Sequence, residues 1–335
     1  MSPDLYMPAY LEHLYLAEHP ELTAGARELL HDQVLRDPQR YATTDAARAA
    51  VAYAEAHAEL MDGLARTEGL PDGEFEQRRT ELFAHVRARM NDVLALDAHN
   101  VDAALVATQL SEVSLDTCLD TMRGLERDAR ARIARSHPGF DASAEGLAAA
   151  EADREDLSWD PQVIGWMHTV EALSQGCIFT ARYRAAASYA RTVMRAALYP
   201  SYAVGTLLIA LARLEDEEAF FEATRNAGPE VEETPWYLLG RTVLLYKLGQ
   251  RRSARRALRD FAARCDGGAF FLLNPTFRDP YLPVRPAVRE SWELSHQAVW
   301  EADGILCDIP DFPAWAESVP GVREASDAFA SQRGL

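Results

Sequence analysis

The stretch TPWYLLGRTVLLYKLGQRRSARRAL, residues 234 to 258, decides how the chain is read. Its first half, opened by Pro235, carries apolar residues at the three- and four-residue intervals of a buried helical face. Leu248-Gly249-Gln250 then breaks the pattern, and a second helical stripe follows through Ala254, Ala257, Leu258 and Phe261. The unit has a counterpart upstream. Leu211-Ala-Arg-Leu214 recurs as Leu245-Tyr-Lys-Leu248, a shift of 34 residues, and each copy is followed by a polar turn and a helix containing Ala219 or Ala254. Pro200 and Pro235 open the two units 35 residues apart. A hairpin of two helices cannot bury its apolar face alone, so a repeat of this length reads as one joint of an array.

Working outward, nearly every long segment shows apolar positions at i, i+3, i+4 and i+7, and alternating β-branched runs are scarce, so the fold class is all-α. Helices are expected over 5–17, 21–35, 44–67, 73–96, 100–113 and 114–136, bounded by signals such as HPEL, RDPQ, GLPDG and LDAHN. After a Gly-, Pro- and acid-containing connection come helices over 161–176, 178–198, 201–213, 215–227, 235–248 and 251–265. This divides the chain into N-terminal hairpins (1–135), a connection (136–160), repeats (161–268) and a C-terminal segment (269–335). In the last part FFLLNPTFRDPYLPVRP, residues 270 to 286, holds four prolines and four aromatic residues and is expected to be extended or polyproline-like, with helices at about 286–302 and 322–331 beyond it.

The 34-residue helix-turn-helix unit resembles the tetratricopeptide repeat. Trp236, Leu239 and Gly240 fit that family's W-x2-L-G start, whereas Gly249 and Ala254 come two residues later than its standard period. LALDAHN, residues 94 to 100, is similar to the end of a second helix and its turn, with Ala98 where the family usually has proline. The likeness covers about residues 80 to 135 and 165 to 265. It implies a right-handed superhelical array of antiparallel hairpins, an α-solenoid, closed by an atypical C-terminal cap rich in proline and aromatic residues. It also implies a concave groove for a peptide, into which Asp102, Leu105 and Gln109 of one hairpin and Tyr237, Arg241 and Leu244 of another would point. The alternative for each is packing between hairpins. The family's lysine-based clamp for a peptide carboxylate is not expected, because Lys247 is the only lysine among 34 basic residues.

Composition narrows the partners. A formal charge of -18 repels polyanions, which argues against generic nucleic-acid or anionic-membrane binding. Cys118, Cys177, Cys265 and Cys307 are far apart and lack zinc-ligand spacing, so they read as reduced thiols. The start MSPDLYMPAYLEH has no basic n-region, and the longest strongly apolar segment, 202–212, is too short for the ~20 residues of a membrane span. A cytoplasmic protein is the simplest reading.

Against that background, residues 178 to 265 carry 14 basic and 9 acidic side chains. Arg251, Arg252, Arg255, Arg256 and Arg259 form adjoining stripes on one helix, either a solvated face or a dock for an acidic or phosphorylated partner. Two Glu-x-x-His pairs, Glu28/His31 and Glu293/His296, have the spacing used in di-iron bundles, but chance supplies about one and no metal is expected. The proline-aromatic segment is read as a cap over the last hairpin, or else as a lid with Arg278, Asp279, Tyr281 and Arg285 at its rim. The function expected is non-catalytic binding of a protein or peptide, with no cofactor. The alternative is a helical enzyme or ligand sensor with a pocket near Trp166 and His168, between the two halves.

Overall fold

The computed structural model describes residues 2–67, 70–143, 147, 157, 159–196, 203–277 and 290–335. Among them the chain is all-helical, without a strand, and no helix is long and apolar enough to cross a membrane. Contacts divide it into two compact units, Met1–Ala172 (with Arg195–Pro200) and Leu173–Met194 with Ser201–Leu335. The division falls inside a helix, whereas the expected connection lay at 136–160.

The first unit contains α1 (Pro3–Glu18), α2 (Ala24–Arg36), α3 (Pro38–Tyr41), α4 (Asp45–Thr67), α5 (Asp72–Leu96), α6 (Val101–Gln109), α7 (Leu115–Ser136) and the first part of α8 (Pro161–Phe179). The long hairpin of α4 and α5 is its backbone: alanines at 47, 49, 50 and 56 keep one face of α4 thin, and Leu60, Val86, Met90 and Val93 fill the core. α1 packs on α2 and α4, α6 on α5 and α7. The helix expected over 100–113 is shorter, because Ser114 caps the next one by accepting a hydrogen bond from the Thr117 amide and so must leave the preceding helix.

The second unit contains the end of α8 followed by α9 (Tyr183–Arg195), α10 (Ala203–Leu214), α11 (Glu217–Ala227), a 3-10 turn (Pro229–Glu233), α12 (Pro235–Lys247) and α13 (Arg251–Arg264). Here three hairpin turns are built alike. The amides of Arg182, Asp216 and Gln250 donate to the carbonyls of Cys177, Leu211 and Leu245 at 2.8, 3.1 and 2.9 Å. In each turn the residue just before that donor is left-handed: Ala181 at φ 55°, Glu215 at 60° and Gly249 at 72°. This is the closure that satisfies the last carbonyls of a helix before the chain reverses. Positions 181, 215 and 249 are 34 apart, and so are the second-helix starts at 183, 217 and 251. Burial follows the same period: Ala186, Phe220 and Ala254 are all 0% exposed. Leu211 and Leu245 are buried, but Leu214 and Leu248, one turn later, are only half-buried because they border the turns.

Successive turns also touch. Lys247 pairs with Glu215 at 2.9 Å, and its counterpart 34 residues earlier, Arg213, lies over the Tyr183 ring at 5.3 Å. Each cation thus reaches back to the turn before it.

The C-terminal helices are α14 (Gly268–Leu273), α15 (Ser291–Glu301), α16 (Asp303–Cys307), α17 (Phe312–Glu317) and α18 (Val322–Arg333). Phe270 to Leu273 are helical, which corrects the expectation of an extended segment; the helix ends at Asn274, before Pro275, the residue where proline restricts the chain. Phe270 and Phe271 are buried with Phe329 of α18, at ring separations of 5.3 and 5.7 Å, and α18 packs on both α13 and α14. The last hairpin is therefore covered by α14 and α18 together.

The left-handed turns are directly testable. Ala181 bears a Cβ where glycine is at ease, so Ala181→Gly should raise the unfolding free energy, and Gly249→Ala should lower it, each by about 1 kcal/mol. Urea midpoints with unchanged slopes check both.

Candidate functional site

The most concentrated polar chemistry of the first unit gathers on Asp102, the second residue of α6. Asn100 caps that helix by accepting from the Ala103 amide, and an acidic side chain in the first turn suits the positive end of the helix dipole. Asp102 is 3% exposed. Its Oδ2 accepts from the Tyr6 hydroxyl at 2.6 Å, and its Oδ1 pairs with Nδ1 of His168 at 2.6 Å. His168 reaches it because Gly165, one turn earlier on α8, lets the helices approach: a Cβ there would sit 2.7 Å from Val101 Cβ. The sequence placed Asp102 on a groove and His168 in a separate pocket; the fold joins them across 66 positions.

The surroundings explain the titration. Burial pushes the Asp102 carboxyl up, but the His168 charge and hydrogen bond, the Tyr6 hydroxyl and His57 outweigh it and hold the group below the usual carboxylate range. Burial also lowers His57, against the pull of Asp102, and raises Tyr53, which Asp102 raises further. Beside this network lies a cavity of about 50 Å³, lined by Tyr6, Tyr10, Asp97, Asn100, Asp102 and Asp160 among others. Tyr10 is pushed up to about 12 by burial and by Asp160 and Asp97. Asp160 itself is engaged, with His137 Nε2 at 3.0 Å and the Gln162 amide at 2.7 Å. A cavity of this size holds a water or two, far from the ~300 Å³ at which small-molecule sites begin. Trp166 is also committed, its Nε1 donating to Glu126 at 3.0 Å.

In the second unit the residues assigned to a groove are largely interior. Tyr237 is 5% exposed and stacks on Phe220 of α11 with ring centroids 5.8 Å apart; Leu244 is fully buried. Arg241 is half-buried; burial raises the Tyr237 hydroxyl's pKa, and the Arg241 charge opposes that rise. In the first unit Leu105 is likewise buried and Gln109 half-buried. Tyr237, Leu244 and Leu105 thus do not line an open surface, because packing between helices has claimed them. Moreover, α15 packs on α10 and α12: Glu301, 4% exposed, accepts from Trp236 Nε1 at 2.6 Å and from Gln297 Nε2 at 3.1 Å, and Trp300 meets Phe179 at 4.6 Å.

The exposed surface of this unit includes a basic stripe. Arg251, Arg252, Arg255, Arg256 and Arg259 are all exposed on α13; Arg251 lies 3.5 Å from the Tyr246 ring centroid. The sequence reading missed two further arginines, Arg191 and Arg225, which occupy the position of Arg259 in the two preceding hairpins and are also exposed. An offset of 34 residues from Arg259 finds both.

The Glu-x-x-His pairs do not act as pairs. His31 bonds Glu12 at 2.6 Å, Glu293 accepts from the Glu290 amide, and His296 is buried against Phe271. Among the described residues no group of three or more His, Cys, Asp and Glu side chains is placed to hold a metal. Arg278, Asp279, Tyr281 and Arg285, the rim of the expected lid, lie outside the described residues.

No protein-family model, curated protein or solved structure matches the chain.

The Asp102 network sets an acid limit. Both Asp102 and His57 have folded pKa values below their unfolded ones, so each contributes stability at higher pH that is lost on acidification. Loss should begin below pH ~6.5, as His57 takes up a proton on unfolding, and continue below ~3.9 through Asp102. Replacing His57 by Gln should remove the first part of that slope. Asp102→Ala removes the shared acceptor of the Tyr6 hydroxyl and His168 and should cost about 3 kcal/mol, Asp102→Asn less; urea titrations across this pH range check both.

Proposed function

We propose that this chain is a non-catalytic, tetratricopeptide-like scaffold: a right-handed superhelical array of hairpins that binds a protein or peptide. The observation that carries the reading is the recurrence of one turn at 181, 215 and 249, with the backward contacts of Arg213 and Lys247 stacking each hairpin on the one before. Arrays of this kind gain surface by adding units, and extended surface is what peptide recognition uses. The polar network at Asp102 supports the same reading, since its groups are spent on one another beside a cavity too small for a substrate. The absence of a disulfide at any of the four cysteines suits a reducing, cytoplasmic setting.

Affinity capture from the native cell extract, followed by reconstitution with the purified candidate and calorimetry, tests the proposal. A protein or peptide partner that binds the purified chain at defined stoichiometry is the expected outcome. A small molecule retained through purification and seen in native mass spectra, with no protein partner, would contradict it and favour a sensor or enzyme.

A further inference from the structure

Helix α15 lies on α12 and α10, the first helices of two hairpins. A helix laid across others with one face inward is the geometry of helix-in-groove recognition. The inward face of α15 is unlike the core around it. Six of its side chains are buried, and four of them, Ser295, His296, Gln297 and Glu301, are polar; only Ala298 and Val299 are apolar. On α12 the buried set includes Trp236, Leu238, Leu239, Leu244 and Leu245. A contact so poor in apolar side chains has the composition of a reversible interface rather than of a domain core. We propose, resting on the scaffold reading above, that α15 is a built-in ligand: an autoinhibitory helix that an amphipathic helix of a partner protein displaces from α10 and α12.

Two contacts at the C-terminal end of α15 define what such a partner must carry. Glu301 accepts from Trp236 Nε1 at 2.6 Å and from Gln297 Nε2 at 3.1 Å, and Trp300 meets the ring of Phe179, which is 41% exposed. Trp236 is itself fixed by close packing on α10, where a Cβ at Gly205 would come within 2.6 Å of its ring. The indole donor is therefore presented at a set place, and a carboxylate is the acceptor that bonds it most strongly. Burying that carboxylate costs desolvation, so the bond orients the helix more than it stabilises it. An incoming helix with its own carboxylate makes the same bond, and the exposed edge of Phe179 is where it first touches.

The surroundings allow α15 to leave. Its start is self-sufficient, because the Glu290 amide donates to the Glu293 carboxylate at 3.2 Å in a capping box that needs no other helix. The links from that end to the rest of the unit are exposed polar ones, Ser291 to Asp266 at 2.7 Å and Glu290 to Arg333 of α18. Trp292 and His296 also meet Phe271 of α14, at 5.7 and 4.6 Å. Neither α14 nor α18 needs α15 to stay in place, since they pack on each other and on α13. The last hairpin thus keeps its cover when the face of α10 and α12 is opened.

The test uses the full chain and a fluorescent peptide of residues 290–302. In the wild type α15 competes from within, so the peptide should bind ~10-fold more tightly to the variant E301A, whose own helix has lost its anchor. The same peptide with Glu301→Gln should bind E301A ~10-fold more weakly than the native peptide, because the charged acceptor for Trp236 is gone. Equal binding of the native peptide by both chains, or no preference for the carboxylate in a variant with unchanged circular dichroism, would overturn the proposal. A variant that self-associates through the freed face would overturn it too, by making a second copy the occupant. Hydrogen exchange of the wild type needs no variant: the α15 amides should open at a lower free energy than those of α12, and exchange of both helices in one global step would contradict the inference. A natural partner captured equally by wild type and E301A would overturn the built-in ligand while leaving the scaffold reading in place.

Discussion

The second unit depends on one hydrogen bond made three times. An amide five residues beyond a carbonyl folds back on it, at Cys177 and Arg182, Leu211 and Asp216, Leu245 and Gln250, and that bond forces the residue before the donor into the left-handed region. Everything else in the hairpins is set from there. The second helix begins at the same offset each time, so Ala186, Phe220 and Ala254 reach the same buried site and Arg191, Arg225 and Arg259 the same exposed one. The turn tolerates Ala181 and Glu215 at a conformational cost of about 1 kcal/mol each, which the satisfied carbonyls and the packed helices outweigh.

The first unit is held by different means. Its α4–α5 hairpin is long and packed through alanines, and its shorter α6 is pinned by a buried carboxylate rather than by a repeating turn. Asp102 joins α1 through Tyr6 and α8 through His168, with His57 and Tyr53 of α4 within its electrostatic reach. Such a network fixes relative helix positions at the cost of sensitivity to acid. Its chemistry is inward, whereas the second unit exposes the guanidiniums of α13 together with carboxylates such as Glu217 and Glu218.

Helix type and most boundaries were legible in the sequence because the 3.6-residue pattern and its Pro, Gly and Asn breaks are local. The period of 34 was legible from Leu211 and Leu245, but only two of the three turns carried it, since Ala181 gives no hint of a left-handed backbone. The pairing of Asp102 with His168 was hidden because it spans 66 positions and rests on a close approach at Gly165. Tyr237 and Leu244 read as groove residues because α15, which packs on the first helices, lies in the sequence beyond a proline-rich segment with no periodicity to place it. The register of Arg191 and Arg225 with Arg259 was masked by composition: in a chain whose basic residues are nearly all arginine, any one of them looks incidental.

Amide hydrogen exchange at Arg182, Asp216 and Gln250 tests the central claim most directly, because each of these amides is the donor that closes one turn. Three structurally equivalent closures should show strong protection at all three sites, comparable to that of the adjoining helix amides. Exchange at the rate of an open chain at any one of them, with the other two protected, would contradict the equivalence of the hairpins and with it the repeat on which the functional reading stands.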